Sequence, residues 1–219
     1  MKLYYHYCPG GFSNSYLLGT SFNAETTQKA SAPQEAALPN EAIIVDPGIM
    51  DSRVLALIEE NNYTLRGVLI THDHSHHVRG LKTLLKIYDT GVFAVNPEFM
   101  GYRTMRVQDG DIISLGPFNI EVITIPGHSA DSTAFKVDRF LFTGDALSAG
   151  LIGSTSSSYS AAAQVSALKS KLLSLPGDYI VLPGHGPPTS LEAERKFNIE
   201  LNSFEQRKKR KPALKLDWQ

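Results

Sequence analysis

Residues 69–80 read LITHDHSHHVRG, and four histidines, His72, His74, His76 and His77, crowd into the middle of that stretch. The apolar run before them, Leu65–Thr71, reads as a buried strand, so the imidazoles sit just past its carboxyl end. The same arrangement recurs along the chain. His128 follows EVITIPG, His185 follows YIVLPG, and RFLFTG delivers Asp145 in the same way. In layered α/β proteins ligand and catalytic groups gather at the carboxyl ends of strands, so these loops can converge on one point.

Before the histidines, AIIVDPG (residues 42–48) reads as a short buried strand ending in a turn. Asp51 or Ser52 then caps a helix whose apolar positions are Val54, Leu55, Leu57 and Ile58, with Asn61-Asn62 ending it. On the other side, Leu81, Leu84 and Leu85 mark a helix and GVFAVN a further strand. From Asp109-Gly110 the pattern turns to strands, DIISL, FNIEVITI, STAFKV and RFLFTG, with Asp138-Arg139 as a hairpin turn. The small-residue stretch GLIGSTSSSYS, Gly150–Ser160, reads as a loop before a helix marked by Val165, Leu168, Leu172 and Leu173. A final helix from Leu191 becomes basic in RKKRK, Arg207–Lys211. The chain opens with strands at Lys2–Tyr7 and Ser15–Gly19, parted by Pro9-Gly10-Gly11. This order suits two sheets with helices outside better than one doubly wound sheet. The chain reads as a single domain over residues 1–219, with Ser21–Ala42 as a surface insertion and residues 207–219 as a basic tail.

Composition narrows the class. Lys and Arg total 21 against 22 Asp and Glu, a net charge of −1, which gives no general attraction to nucleic acid or anionic membrane. The basic run at 207–211 reads as a solvated helix end rather than an RNA grip. One cysteine, Cys8, excludes an internal disulfide framework and fits a reducing compartment, so the cytoplasm is the expected location. The start, MKLYYHYCPGGFSNSYLL, is too polar for a signal peptide, and no stretch has the length of a membrane span.

Imidazole and carboxylate without thiolate suit zinc or a comparable divalent transition metal. A lone histidine after a strand is ordinarily a capping or surface residue, and Asp145 alone would read as a turn residue. Several strand ends supplying ligand types together do not read that way. Six of the chain's seven histidines plus Asp145 exceed what one tetrahedral ion needs and suit two ions. His6 is left as an ordinary histidine.

The motifs ITHDHSHHVRG, TIPGHSADSTAF, LFTGDAL and VLPGHGP, in this order, resemble the successive motifs of the metallo-β-lactamase superfamily, and NSYLL and IIVDPG resemble its opening strands. The resemblance runs from about Ser15 to about Asn198. It implies a four-layer αβ/βα sandwich with the active site at the edge between two sheets. Carried onto this chain, the pattern gives His72, His74 and His128 to a first metal and His77 and His185 to a second, with Asp145 between them. Zinc is the expected metal, with iron or manganese as alternatives. The family's usual aspartate is replaced here by His76, which is expected to bind the second metal; the alternative is a free general base. An imidazole brings no negative charge, so the loaded centre stands at about +2 rather than about +1, favouring anionic substrates and holding the second ion less firmly. Asp46, in IIVDPG, either orients a ligand histidine or fixes the turn.

Within the superfamily, PGHSADSTAF, GDALSAGLIG and GHGPPTSLEAERKFN resemble short glyoxalase II-like (hydroxyacylglutathione hydrolase-like) proteins. That resemblance implies a small-molecule hydrolase acting on a thioester, ester or lactone through a metal-bridging hydroxide. The chain departs from it at GSTSSSYS and NIEL, and with about 35 residues after His185 the helical domain with which larger glyoxalase II enzymes grip glutathione is not expected. Two alternatives stand beside it: a persulfide dioxygenase using one iron on His72, His128 and Asp145, and a nuclease-branch phosphodiesterase. The substrate pocket is expected along Gly150–Ser160 and the start of the last helix, with Tyr159 as a contact.

Overall fold

The computed structural model describes residues 1–20 and 40–210, with side chains through residue 204. Most of the expected Ser21–Ala42 insertion, and the end of the basic tail, lie outside the described residues. Asn40–Ala42 do not belong to an insertion, because the strand Asn40–Val45 already includes them.

Six strands form a first sheet in the order Lys2–Cys8, Ser13–Gly19, Asn40–Val45, Tyr63–Leu69, Val92–Ala94 and Met105–Arg106. A second six-stranded sheet runs Thr189–Ser190, Ile180–Pro183, Phe140–Gly144, Thr133–Val137, Phe118–Thr124 and Ile112–Leu115. Strand alternation explains the layering. In Asn40–Val45, Ile43 and Val45 face the core between the sheets, where they meet Phe118, Phe135 and Phe142. Ala42 and Ile44 point the other way, against Val54 and Ile58 of the helix Ser52–Glu60 and Leu81 and Leu84 of the helix Leu81–Ile87. A third core joins the outer face of the second sheet, through Leu141 and Val181, to Val165, Leu168, Leu191 and Leu201 on the helices beyond. Helix, sheet, sheet and helix are thus stacked as expected for the four-layer αβ/βα sandwich, and the inner strands are apolar on both faces because both faces are covered.

Several boundaries differ from the sequence reading, each for a local reason. The strand expected to run to Thr71 ends at Leu69, because the Thr71 backbone N–H leaves the ladder and donates to Asp46 Oδ1 at 2.8 Å. The final helix is two helices, Leu191–Phe197 and Ile199–Arg210, parted by Asn198, whose extended backbone (φ −62°, ψ 115°) and side-chain oxygen cap the second by accepting from Leu201 N. Gly150–Ser160 is not all loop: Leu151–Ile152 pairs with Leu147–Ser148, and Ser157 caps a helix over Ser158–Ala167. The short strands Glu98–Phe99, Tyr102–Arg103 and Met105–Arg106 were not foreseen.

Asn14 locks the two sheets together at the end where His185 emerges. Its Nδ2 donates to Pro183 O at 2.9 Å and Gly186 O at 2.8 Å, and its backbone N donates to Gly184 O at 2.7 Å. Tyr16 OH also donates to Pro183 O, at 2.7 Å. Asn14→Ala strands buried acceptors on the second sheet, so we expect a loss of about 1–3 kcal/mol in unfolding free energy. Urea unfolding of the variant checks this, and an unchanged midpoint would remove Asn14 from the interlock.

Candidate metal centre

The candidate metal-binding residues lie just past the carboxyl ends of strands, in loops or, for His76 and His77, on a short helix. Tyr63–Leu69 is followed by Thr71, His72 and His74, and His74 stands at the start of the short helix Ser75–Val78 that carries His76 and His77. Phe118–Thr124 leads to His128, Phe140–Gly144 to Asp145, and Ile180–Pro183 to His185. Two glycines let these loops close. Gly144 has φ +50°, and a Cβ there would collide with Thr71 Oγ1. A Cβ on Gly184 would run into Asp145 Oδ1 and His77 Cε1.

Two groups of donors meet at Asp145, and a third, Asp46, His72 and His77, overlaps them. His72, His74, His128 and Asp145 each offer an atom within 4.8 Å of the others, and so do His76, His77, Asp145 and His185. Asp145 is common to both. Its Oδ2 lies 3.6 Å from His72 Nε2 and 3.5 Å from His128 Nε2, while its Oδ1 lies 2.8 Å from His185 Nδ1 and 3.5 Å from His77 Nε2. The first group is drawn tight: His74 Nδ1 is 2.9 Å from His72 Nε2 and 3.1 Å from His128 Nε2.

Electrostatics sort the imidazoles. Burial, then the neighbouring His77, lowers the pKa of His72 to about 3. Burial, followed by His77 and His185, lowers His76 to about 4, and burial with His128 lowers His74. His77 goes the other way: burial opposes its charge, but Asp145 and Asp46 on either side outweigh that and raise its pKa to about 9. Its 3.1 Å contact to Asp46 Oδ2 is a hydrogen bond, whereas the 3.5 Å separation from Asp145 is Coulombic only. Burial works against a charged Asp145, but His185 and His77 hold its carboxyl well below the usual range.

This arrangement fits metal. His77 Nε2 and His76 Nε2 are buried without any hydrogen-bond partner. With Nδ1 of His77 committed to Asp46, its Nε2 can turn a lone pair toward a cation beside Asp145. Two sets of three imidazoles and a carboxylate, with no thiol among them, match divalent transition-metal chemistry.

Asp46, with φ +48°, is 2% exposed. It accepts from Thr71 N, from Thr71 Oγ1 at 2.6 Å and from His77 Nδ1. It therefore combines the two roles considered for it, orienting a histidine and fixing the turn. Sequence reading missed Asp131, which is 8% exposed and accepts from Asp73 N, Asn96 Nδ2 and Ser129 Oγ. It ties the His72–His77 loop to the His128 loop, and the only signal for it was a short polar residue three positions after His128. Ser154 O, 2.8 Å from His128 Nδ1, was also missed. Tyr159 stands 83% exposed on the first turn of its helix and lines neither of the cavities beside the centre. Of the expected pocket segments, Ile152, Gly153, Ser154 and Thr155 face Glu200, Ser203 and Phe204 across a cavity of 260 Å³. His6 lies apart, 3.5 Å from Asp51 Oδ2.

The family model for the metallo-β-lactamase superfamily matches residues 37–185. Hydroxyacylglutathione hydrolase GloC of Haemophilus influenzae is 31% identical over 187 residues, covering 73% of this chain and 87% of its own length. A hydroxyacylglutathione hydrolase of Hahella chejuensis is 35% identical over 146 residues, 65% of this chain but only 56% of that longer protein. Among solved structures, ETHE1 from Myxococcus xanthus aligns with a TM-score of 0.76 at 26% identity, covering 93% of this chain and 85% of its own. No helix among the described residues is long and apolar enough to cross a membrane.

The proton on His77 makes loading pH-dependent. At pH 7 a group with pKa about 9 is charged, while His72 and His76, at about 3 and 4, are already neutral. A divalent cation bound at His77 would have to expel that proton, so affinity there should weaken by up to about tenfold per unit as pH falls below 9. Titrations with a divalent cation such as zinc at pH 7 in buffers of different ionisation heat should report at least one proton released per chain. Release of none would contradict the assignment of the charge to His77.

Proposed function

The chain belongs to the metallo-β-lactamase superfamily, and from that membership we propose that it is a two-metal hydrolase of a thioester, ester or lactone, with a thioester foremost. The observation that carries this reading is the pair of three-imidazole groups sharing Asp145. Hydroxyacylglutathione, named in the two relatives above, is itself a thioester, which supports the choice within the three.

In this reading His72, His74 and His128 hold one cation, His76, His77 and His185 the other, and Asp145 lies between them. Two divalent cations bound there, zinc foremost and iron or manganese as alternatives, would polarise an acyl carbonyl and lower the pKa of water. The chain's own part is positional. Asp46 fixes the tautomer and tilt of His77, and Ser154 O does the same for His128. Asp131 keeps the two loops of the first group in register. Because a thiolate leaves without prior protonation, the reaction demands no strong general acid, and the low pKa values of His72 and His76 leave neither in that role at neutral pH.

The one-iron reading would use His72, His128 and Asp145 and leave His76, His77 and His185 without a task. The two buried unpartnered nitrogens in that second group favour the two-cation reading. The phosphodiesterase reading rests on the basic run at 207–211, and a net charge of −1 adds nothing to it.

Element analysis of the purified protein should find about two transition-metal ions per chain at full loading. A panel of thioesters, lactones and phosphodiesters then tests the substrate class, and a fully loaded protein that cleaves no thioester, ester or lactone sinks the reading.

His76 gives a finer test. His76→Ala should bring metal content towards one ion per chain and weaken the second ion's affinity by about 10–100-fold, with turnover falling in step. His76→Asp should keep two ions, hold the second more tightly through its added charge, and move the acidic limb of the pH–rate profile upward. If His76→Ala leaves both metal content and rate unchanged, His76 has no part in the centre.

A further inference from the structure

A cavity of 170 Å³ opens beside His76. Its walls come from the Cys8–Gly11 turn, the Gly48–Met50 turn and the helical stretch from His76 to Thr83. The 260 Å³ cavity described above lies beside His128, since Gly153 packs against the His128 ring and Ser154 O accepts from it. His76 and His128 belong to different donor groups that meet at Asp145. The two cavities therefore flank the centre from different ends, one for each side of a scissile acyl bond.

Their chemistry differs. No carboxylate lines the cavity at His76, and Arg79 stands in its wall. Among the described residues Arg79 makes one hydrogen bond, Nη1 to Gly10 O at 3.0 Å, and no ion pair, so most of its donors are unspent. The hydroxyl of Thr83, also in the wall, has no partner among the described residues. The opposite cavity holds the carboxylate of Glu200 instead, which accepts from Ile152 N at 2.7 Å.

We propose that the cavity at Arg79 and Thr83 is a carboxylate subsite for the acyl half of the substrate, which makes the preferred substrate a monothioester of a short dicarboxylic acid. This rests on the reading of the centre as an acyl hydrolase. A guanidinium presents paired donors that match a carboxylate, and both Arg79 and Thr83 are exposed, so the two can be reached by a ligand from solvent. At roughly 30 Å³ for each water-sized unit, the space suits a carboxylate on a short carbon arm. Glu200 repels the same group from the other end, so the charge pattern also sets the direction in which the substrate lies.

Calorimetric titration of the zinc-loaded protein tests the subsite without turnover. Succinate and glutarate, against butyrate and valerate of equal chain length, should bind about tenfold more tightly. Arg79→Ala should erase that ratio and Arg79→Lys should restore part of it. Equal affinities in the unaltered protein, or a ratio that survives Arg79→Ala, overturns the proposal. The succinyl and butyryl thioesters of one thiol separate it from the reading beneath it. Cleavage of both with equal kcat/KM, alongside equal acid affinities, removes the subsite and leaves the hydrolase. An Arg79-dependent acid preference in a protein that cleaves neither keeps the subsite and removes the hydrolase.

Discussion

Imidazole rings packed against one another, with neighbouring centroids 4.4 to 5.7 Å apart, cannot all carry protons. Two such charges about 4.4 Å apart repel by about 4 kcal/mol even at an effective dielectric of about 20. The fold therefore depends on keeping these rings neutral, and burial does so for His72, His74 and His76. His77 escapes because Asp46 and Asp145 flank it. Of these rings, His76 Nε2 and His77 Nε2 are buried without a partner, which a cation beside Asp145 would supply.

Holding the rings there is a task for the strands beneath. Strands apolar on both faces, such as Asn40–Val45, are clamped between a helical layer and the opposite sheet, so their carboxyl ends have little freedom to shift. Glycines then allow the loops to approach one another where a side chain would hold them apart. Gly144 admits Thr71 and Gly184 admits Asp145 and His77. Asp46 and Asp131 finish the positioning by taking hydrogen bonds from loops belonging to different strands. Precision at the centre thus comes from backbone clearance and buried carboxylates as much as from the imidazoles themselves.

The parts of this design that repeat a simple pattern were legible in the sequence. A buried apolar run followed at once by His or Asp marks a strand end facing a site, and LITHDHSHH, TIPGH, LFTGD and VLPGH all follow it. The helix Ser52–Glu60 was legible because Asp51 is a strong cap, accepting from Arg53 N and Val54 N. Parts set by long-range bonding were not. Two-residue strands such as Glu98–Phe99 are too short to show alternation. Asn198 interrupts a continuous helical pattern because its side chain reaches Leu151 O, 47 residues away, and no local signal announces that partner. Asp131 was not legible, since its partners Asp73 and Asn96 come from loops that follow other strands.

His76 links these levels. Its Nε2 is buried and unpartnered, its carbonyl accepts from Ser13 Oγ at 2.8 Å, and Gly11 passes over its Cβ so closely that any larger residue at 11 would displace it. Gly11 O also stands 3.4 Å from His185 Nε2, so the Pro9-Gly10-Gly11 turn clasps two rings of the second group at once. What read as a plain turn between the first two strands is therefore a lid on that group and a wall of the cavity beside it. Placing an imidazole at 76 leaves Asp145 as the one carboxylate among both donor groups. A doubly loaded centre of that kind keeps more positive charge than one with two carboxylates, and Arg79 adds to it from the cavity wall. Charge at the centre and charge in the wall then act in the same direction on a substrate that carries its own carboxylate.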